Sequence, residues 1–211
     1  MRKKIGIFGG TFDPIHIGHL RLALELKQQL NLDEMRLLPC HQPPHRDVPQ
    51  ANSAQRAEML RIAVKTCPEL QLDERELQRD KPSYTYDTLQ DFRAELGVDV
   101  SLVLCMGEDA FTGLSTWHRW QEIIQLAHIV VIARPGWNIP ETGEVRELLN
   151  RHQGLPTDLV NSPAGAIVLQ SPRLLPISAT EIREQINREQ SAQFLVPDAV
   201  WDYIKASKLY R

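Results

Sequence analysis

The sequence predicts an α/β fold: a doubly wound, mostly parallel sheet whose strands alternate with helices. Three observations point there. Val100–Met106 and Ile129–Ala133 are nearly unbroken apolar runs, as in strands buried on both faces of a parallel sheet. Helical stretches alternate with such strands along the 211 residues, without internal repeat or low-complexity segment. The chain also opens on an apolar run (Ile5, Ile7, Phe8) that breaks at Gly9-Gly10 and then becomes helical.

Each element has its own reason. Over residues 18–30, Leu20, Ala23, Leu24, Lys27 and Leu30 recur at near-helical spacing, and Leu22 and Leu26 widen the apolar face. A second strand, Met35–Pro39, runs into Cys40–Ala51, which holds three prolines and cannot be regular helix. Asn52 offers an N-cap with Gln55 three residues on, opening a helix to about Thr66. Leu70–Leu72 is a short strand candidate. A helix over Thr85–Leu96 ends at Gly97, the usual place for a C-terminal glycine. Ala166–Leu169 is a weaker strand. Helical stretches near 117–127, 141–152, 180–188 and 198–207 fill the rest. The length suits one domain over 1–211, with a small helical extension from about 177 to the end.

Composition excludes several classes. A formal charge of -3 leaves no basic field for a long polyanion, so nucleic acid is not the expected partner. No apolar run approaches the roughly 18 residues of a membrane span, and the N-terminal apolar stretch is too short for a secretory signal. Cys40, Cys67 and Cys105 are odd in number and widely spaced, which argues against a disulfide framework or thiolate zinc site. They fit a reducing cytoplasm, and the expected location is cytoplasmic. Association between identical copies is left open.

The segment from Ile5 to His19 is the most telling. A strand, a glycine turn and a helix N-terminus make an anion site, because the first helix amides lack backbone partners and the dipole favours negative charge. His16 and His19, three apart, share one face of the first turn. Capping, or a shared metal ion, would also explain such a pair. A similar entry occurs at Ser178 and Thr180, with Arg183 within the helix's first turn; its plainer reading is a capping segment with a solvated arginine. Asp109 follows a strand end, where a carboxylate can hold ribose hydroxyls or cap a helix. Gly9–His19, Pro43–Arg46, Gly107–Asp109 and Arg134 all follow strands, where ligands bind in such sheets. That co-location outweighs any one motif.

Gly9-Gly10-Thr11-Phe12-Asp13-Pro14 followed by His16-Ile17-Gly18-His19 resembles the signature of the HIGH-motif nucleotidyltransferases. Ile177-Ser178-Ala179-Thr180-Glu181-Ile182-Arg183 resembles that family's second signature, about 160 residues on. Pro43-Pro44-His45-Arg46, Asp73-Glu74-Arg75-Glu76, Pro82-Ser83-Tyr84-Thr85, Gly107-Glu108-Asp109, Thr116-Trp117 and Arg134-Pro135-Gly136 are similar to the bacterial nicotinate-nucleotide adenylyltransferases of NAD synthesis. Cys40-His41-Gln42 departs from that pattern.

The resemblance implies a Rossmann-like nucleotidyltransferase fold and transfer of AMP from ATP to nicotinate mononucleotide, giving deamido-NAD and pyrophosphate. The acceptor is already an anionic phosphate, so donors that neutralise charge are needed rather than a base. By resemblance His16, His19 and Arg183 are catalytic; Gly9, Gly10, Thr11, Phe12, Gly18, Gly107, Asp109, Arg134, Ser178 and Thr180 bind ATP; His45, Arg46, Tyr84, Thr85 and Trp117 bind the acceptor. Trp117 can stack on a flat pyridine ring, although packing with Trp120 would also account for it. No metal ligand set is expected in the protein, and Mg²⁺ arrives with the ATP phosphates. The run Asp73-Glu74-Arg75-Glu76 alternates in charge and reads as solvated or ion-paired. Related adenylyltransferases acting on nicotinamide mononucleotide or pantetheine phosphate, and a nucleotide-binding module without turnover, are the competing readings. A class I aminoacyl-tRNA synthetase fragment is disfavoured by the absence of a Lys-Met-Ser-Lys-Ser-like loop.

Overall fold

A computed structural model describes residues 2–41, 48–79, 82–133, 137 and 140–211. In chain order its elements are β1 (Lys4–Gly10), α1 (Ile17–Gln29), β2 (Glu34–Pro39), α2 (Ser53–Val64), β3 (Leu70–Leu72), α3 (Thr85–Leu96), β4 (Ser101–Gly107) and α4 (Glu108–Thr112). They continue with α5 (Trp120–Leu126), β5 (His128–Ile132), α6 (Glu144–His152), β6 (Ile167–Gln170), α7 (Ala179–Asn187) and α8 (Asp198–Ala206). The six strands form one sheet in the order β3-β2-β1-β4-β5-β6. The chain therefore winds outward from β1 to β3, returns to lay β4 beside β1, and winds out the other way. This is the predicted doubly wound sheet, with its order reversing between β1 and β4.

The strands pair in parallel, with Phe8 opposite Cys105, Cys105 opposite Val130 and Val130 opposite Val168. Residues 101–106 of β4 and all of β5 are buried, which explains their almost wholly apolar sequence. The carboxyl ends of β1 and β4 lie side by side.

Local signals set most boundaries. α2 begins with a full capping box: the Gln55 amide donates to Asn52 Oδ1 at 2.9 Å, and the Asn52 amide donates to Gln55 Oε1 at 2.9 Å. α3 stops at Gly97, whose φ of 78° is the left-handed region open to glycine. Two differences have visible causes. The helix expected near 117–127 starts only at Trp120, because Arg119 lies at φ 51° and breaks the helical path. The short α4 went unread, since five residues carry too little periodicity.

The chain divides into two compact units. The first comprises Met1–Gly9, Leu26–Met35 and Tyr84–Pro172. In it, a Cβ on Gly6 would meet Leu32 Cδ1 at 2.7 Å and displace the ends of the Leu32 and Met35 side chains. Arg93 donates to the carbonyls of Leu126, Val100 and Pro163, each at 2.7 Å, pinning α3 and the approach to β6. Buried His128 accepts the Ala166 amide at Nδ1 (3.0 Å), so its proton sits on Nε2 and donates to the Ser162 carbonyl at 2.9 Å.

The second unit comprises Gly10–Glu25, Arg36–Ser83 and Arg173–Arg211. α2 packs on β3 and α8 in it. Asp73 takes the Arg75 fork at 2.8 Å on each oxygen and Arg36 at 3.3 Å. The acidic run is thus ion-paired.

Asn52→Ala should lower unfolding free energy by about 1 kcal/mol through loss of the cap, with an unchanged urea m-value. A loss near zero in urea titration would show that tertiary contacts alone fix the start of α2.

Candidate phosphate site and nucleotide-binding residues

β1 ends at Gly10, where a Cβ would press on the Phe12 ring at 3.0–3.3 Å. Phe12, at φ 51°, turns its buried ring inward and meets the His19 imidazole edge-on at 5.2 Å. Its side chain supports the site from within; only its backbone remains for an ATP contact. The chain then passes a cis Asp13–Pro14 bond and enters α1.

His16 is the cap of α1 rather than part of its first turn. Its carbonyl accepts the amides of His19 (3.0 Å) and Leu20 (3.2 Å), and its Nδ1 accepts the His19 amide at 3.3 Å. An amide can only donate, so Nδ1 carries no proton and Nε2 does. Burial lowers the His16 pKa to about 4, so the ring is a neutral donor at physiological pH. The His19 ring stacks on it, centroids 3.6 Å apart and planes 22° apart. Gly18 suits this packing: a Cβ there would sit a tight 3.0 Å from His16 Nδ1. The open amides expected at this terminus are partly occupied, since Ile17 N–H donates to the Leu195 carbonyl at 2.9 Å.

The second motif lies against the first. Ser178 caps α7, accepting the Glu181 amide at 3.5 Å. Arg183 donates from Nη1 to the Asp13 carbonyl at 2.8 Å and from Nη2 to Thr180 Oγ1 at 3.3 Å. Its Nε is buried and meets no partner among the described residues. The guanidinium thus braces the two motifs. A polar cleft of about 350 Å³ opens beside Thr180 and Arg183, with Gln50, Glu184, Asn187 and Arg188 completing its wall.

Two residues that sequence reasoning gave no role organise this region. Asp13 is buried, and its carboxylate accepts the amides of Gln50 (2.8 Å) and Ala51 (3.1 Å) and the Tyr210 hydroxyl (2.7 Å). Burial, reinforced by Asp13, raises the Tyr210 pKa, so the phenol stays a donor. Arg56, 1% exposed, donates to the carbonyls of Thr11 (2.7 Å), Cys40 (2.8 Å) and His41 (3.0 Å). Nothing local in the sequence marks either partnership.

The remaining candidates fall in the first unit or outside the described residues. Gly9 closes its first segment, at the exposed end of β1. Tyr84 precedes α3 and Thr85 begins it. The Tyr84 ring lies 4.8 Å from that of His118, next in the chain to half-buried Trp117, so Tyr84 is drawn to that turn. Arg119 covers the Tyr86 ring at 3.8 Å. Asp109 is exposed in the first turn of α4, whose cap is Gly107 rather than Asp109 itself. A Cβ on Gly107 would meet nothing within 4 Å, so packing does not demand glycine there. His45, Arg46 and Arg134 lie outside the described residues. Among the described residues no cluster of His, Cys, Asp or Glu could hold a metal ion, and no helix is long and apolar enough to cross a membrane.

With paired imidazoles, a glycine turn and a second helix entry braced to it, the region has the make-up of a nucleotide phosphate site. Residues 7–185 match the cytidylyltransferase-like family model, and the chain belongs to that family. Across its full length it is 64% identical to a protein of Cellvibrio japonicus named probable nicotinate-nucleotide adenylyltransferase, covering all of both chains over 211 residues. A Pseudomonas aeruginosa protein of the same name is 49% identical, with 100% of this chain and 99% of that one covered. Among solved structures, the Plasmodium falciparum nicotinic acid mononucleotide adenylyltransferase complexed with NaAD superposes with a TM-score of 0.75. That match covers 99% of this chain and 98% of that one at 18% identity, and it supports the fold.

The buried neutral His16 has a pH consequence. Unfolded, it takes a proton below about 6.5; folded, it resists one down to about 4. Stability should be full above pH 6.5 and fall by up to roughly 3 kcal/mol as pH drops through that window. His128, lowered by burial, adds a loss of the same sign. His16→Asn should flatten the slope in urea titrations; an unaltered slope would assign the acid sensitivity elsewhere.

Proposed function

We propose that this chain is a nicotinate-nucleotide adenylyltransferase, converting magnesium-bound ATP and nicotinate mononucleotide to deamido-NAD and pyrophosphate in the cytoplasm. One observation carries the reading: the two signature segments, far apart in sequence, adjoin through the 2.8 Å bond from Arg183 to the Asp13 carbonyl. Full-length identity with relatives of that name supports the choice of acceptor.

The acceptor phosphate oxygen attacks the α-phosphorus, the bond to the bridging oxygen breaks, and pyrophosphate leaves with its magnesium. The nucleophile is already ionised, so the protein's work is alignment and charge neutralisation. His19, held between Phe12 and His16, donates to the α-phosphoryl group as charge builds. His16 adds a neutral Nε2–H without bringing a competing charge. Ser178 and Thr180 receive the outer phosphates at the α7 entry, and Arg183 holds that entry against the turn while adding positive charge. Gly9, Gly10, Thr11, Gly18 and the Phe12 backbone shape the turn. Gly107, Asp109 and Arg134 contact the adenosine portion. His45 and Arg46 take the acceptor phosphate; Tyr84, Thr85 and Trp117 take the pyridine ring. Donors that fit a ring carboxylate are left unpaired by a carboxamide, so the acid is preferred.

His19→Ala should lower kcat and kcat/KM together, by about 10²–10³, as for one preorganised donor. An unaltered kcat in the folded variant would remove His19 from the transition state. The whole reading is checked by pyrophosphate release with the acid mononucleotide, its amide and phosphopantetheine. The acid should be turned over with the highest kcat/KM; preference for either other acceptor would reassign the substrate, and no release with any would leave a binding module.

A further inference from the structure

Arg56 is a fully buried cation with no carboxylate partner among the described residues, which is a costly arrangement to maintain. A hydrophobic side chain would fill its place in α2 without that cost. Its hydrogen-bond partners among the described residues are all oxygens. Nη1 donates to the Thr11 carbonyl at 2.7 Å, inside the glycine turn. Nη2 donates to the carbonyls of Cys40 at 2.8 Å and His41 at 3.0 Å, and to Ser53 Oγ at 3.3 Å.

Those residues are tied to one another in turn. The Cys40 amide donates to the Gly10 carbonyl at 3.1 Å, so the turn and residues 40–41 are stitched together twice. The His41 amide donates to Ser83 Oγ at 3.1 Å, and His41 Nδ1 is 3.0 Å from Ser53 Oγ. Ser83 immediately precedes Tyr84 and Thr85. Arg56 itself sits one turn into α2, its amide bonded to the Asn52 carbonyl at 3.0 Å within the capped start of that helix. The fork is therefore held on a rigid arm.

We propose that Arg56 is a positioning residue for adenylyl transfer, its guanidinium fixing the Gly10–Thr11 turn against Cys40 and His41 and, through them, Ser83. The inference rests on the transferase reading above. The turn carries the ATP contacts, while residues 40–41 and Ser83 each lead into a segment assigned to the acceptor. Arg56 thus sets the alignment of the two substrates without touching either. Its charge polarises three carbonyls at once, a task that needs a planar fork and that the point charge of lysine cannot reproduce.

The test compares Arg56→Lys, Arg56→Ala and Ser83→Ala with the wild type in the pyrophosphate-release assay. Circular dichroism and thermal unfolding confirm that each variant is folded at the assay temperature. Misalignment predicts a kcat about 10- to 100-fold lower in both Arg56 variants, with each KM much less affected. Ser83→Ala should show a smaller fall of the same kind. Guanidinium ion should restore part of the rate to Arg56→Ala, whereas methylammonium should not; a merely structural arginine would show neither the kcat-selective loss nor that selectivity. Folded Arg56 variants with kcat within about two-fold of wild type would overturn the proposal. If neither Arg56 variant folds, an unaltered kcat in Ser83→Ala overturns it. Failure of the wild type to turn over any acceptor would instead remove the transferase reading on which it rests.

Discussion

The phosphate region depends on the burial of Asp13 in the opening turn. Its carboxylate gathers the Gln50 and Ala51 amides and the Tyr210 hydroxyl, and its carbonyl receives Arg183. A buried carboxylate must be satisfied by donors, and here they come from two separate stretches of chain, while a third reaches the carbonyl of the same residue. Satisfying it draws those stretches around the turn. The C-terminal tyrosine thus belongs to the same arrangement as the glycine motif, 197 residues away in sequence.

Around that anchor the chain separates groups that position from groups able to meet a ligand. Arg56 and Asp13 are buried and bonded to backbone; Phe12 packs beneath His19. His16 does both jobs: Nδ1 caps the helix, while burial keeps the ring neutral with its proton on Nε2. Capping and phosphate contact, which look like competing explanations of a histidine at a helix start, are compatible because the ring has two nitrogens.

Much of the fold was legible because local chemistry wrote it. Nearly unbroken apolar runs marked β4 and β5, the Asn52–Gln55 pair marked α2, and Gly97 ended α3. What failed were short or context-bound features: α4, and the late start of α5 behind a left-handed Arg119. In the candidate site, the motif residues stand out in the sequence by type and spacing. The use of Arg183 as a brace, the fixed tautomer of His16, and the bonding of Arg56, Asp13 and Tyr210 do not.

The sequence by itself determined the strand–helix alternation, the two signature segments and the residue types able to meet phosphate. Periodicity, caps and glycines act over a few residues, and a single chain displays them openly. Only the tertiary structure decided which donor faces which acceptor. Arg183 and Asp13 are 170 residues apart, and a hydrogen bond is set by distances of about 3 Å and by direction, neither of which spacing along a chain encodes.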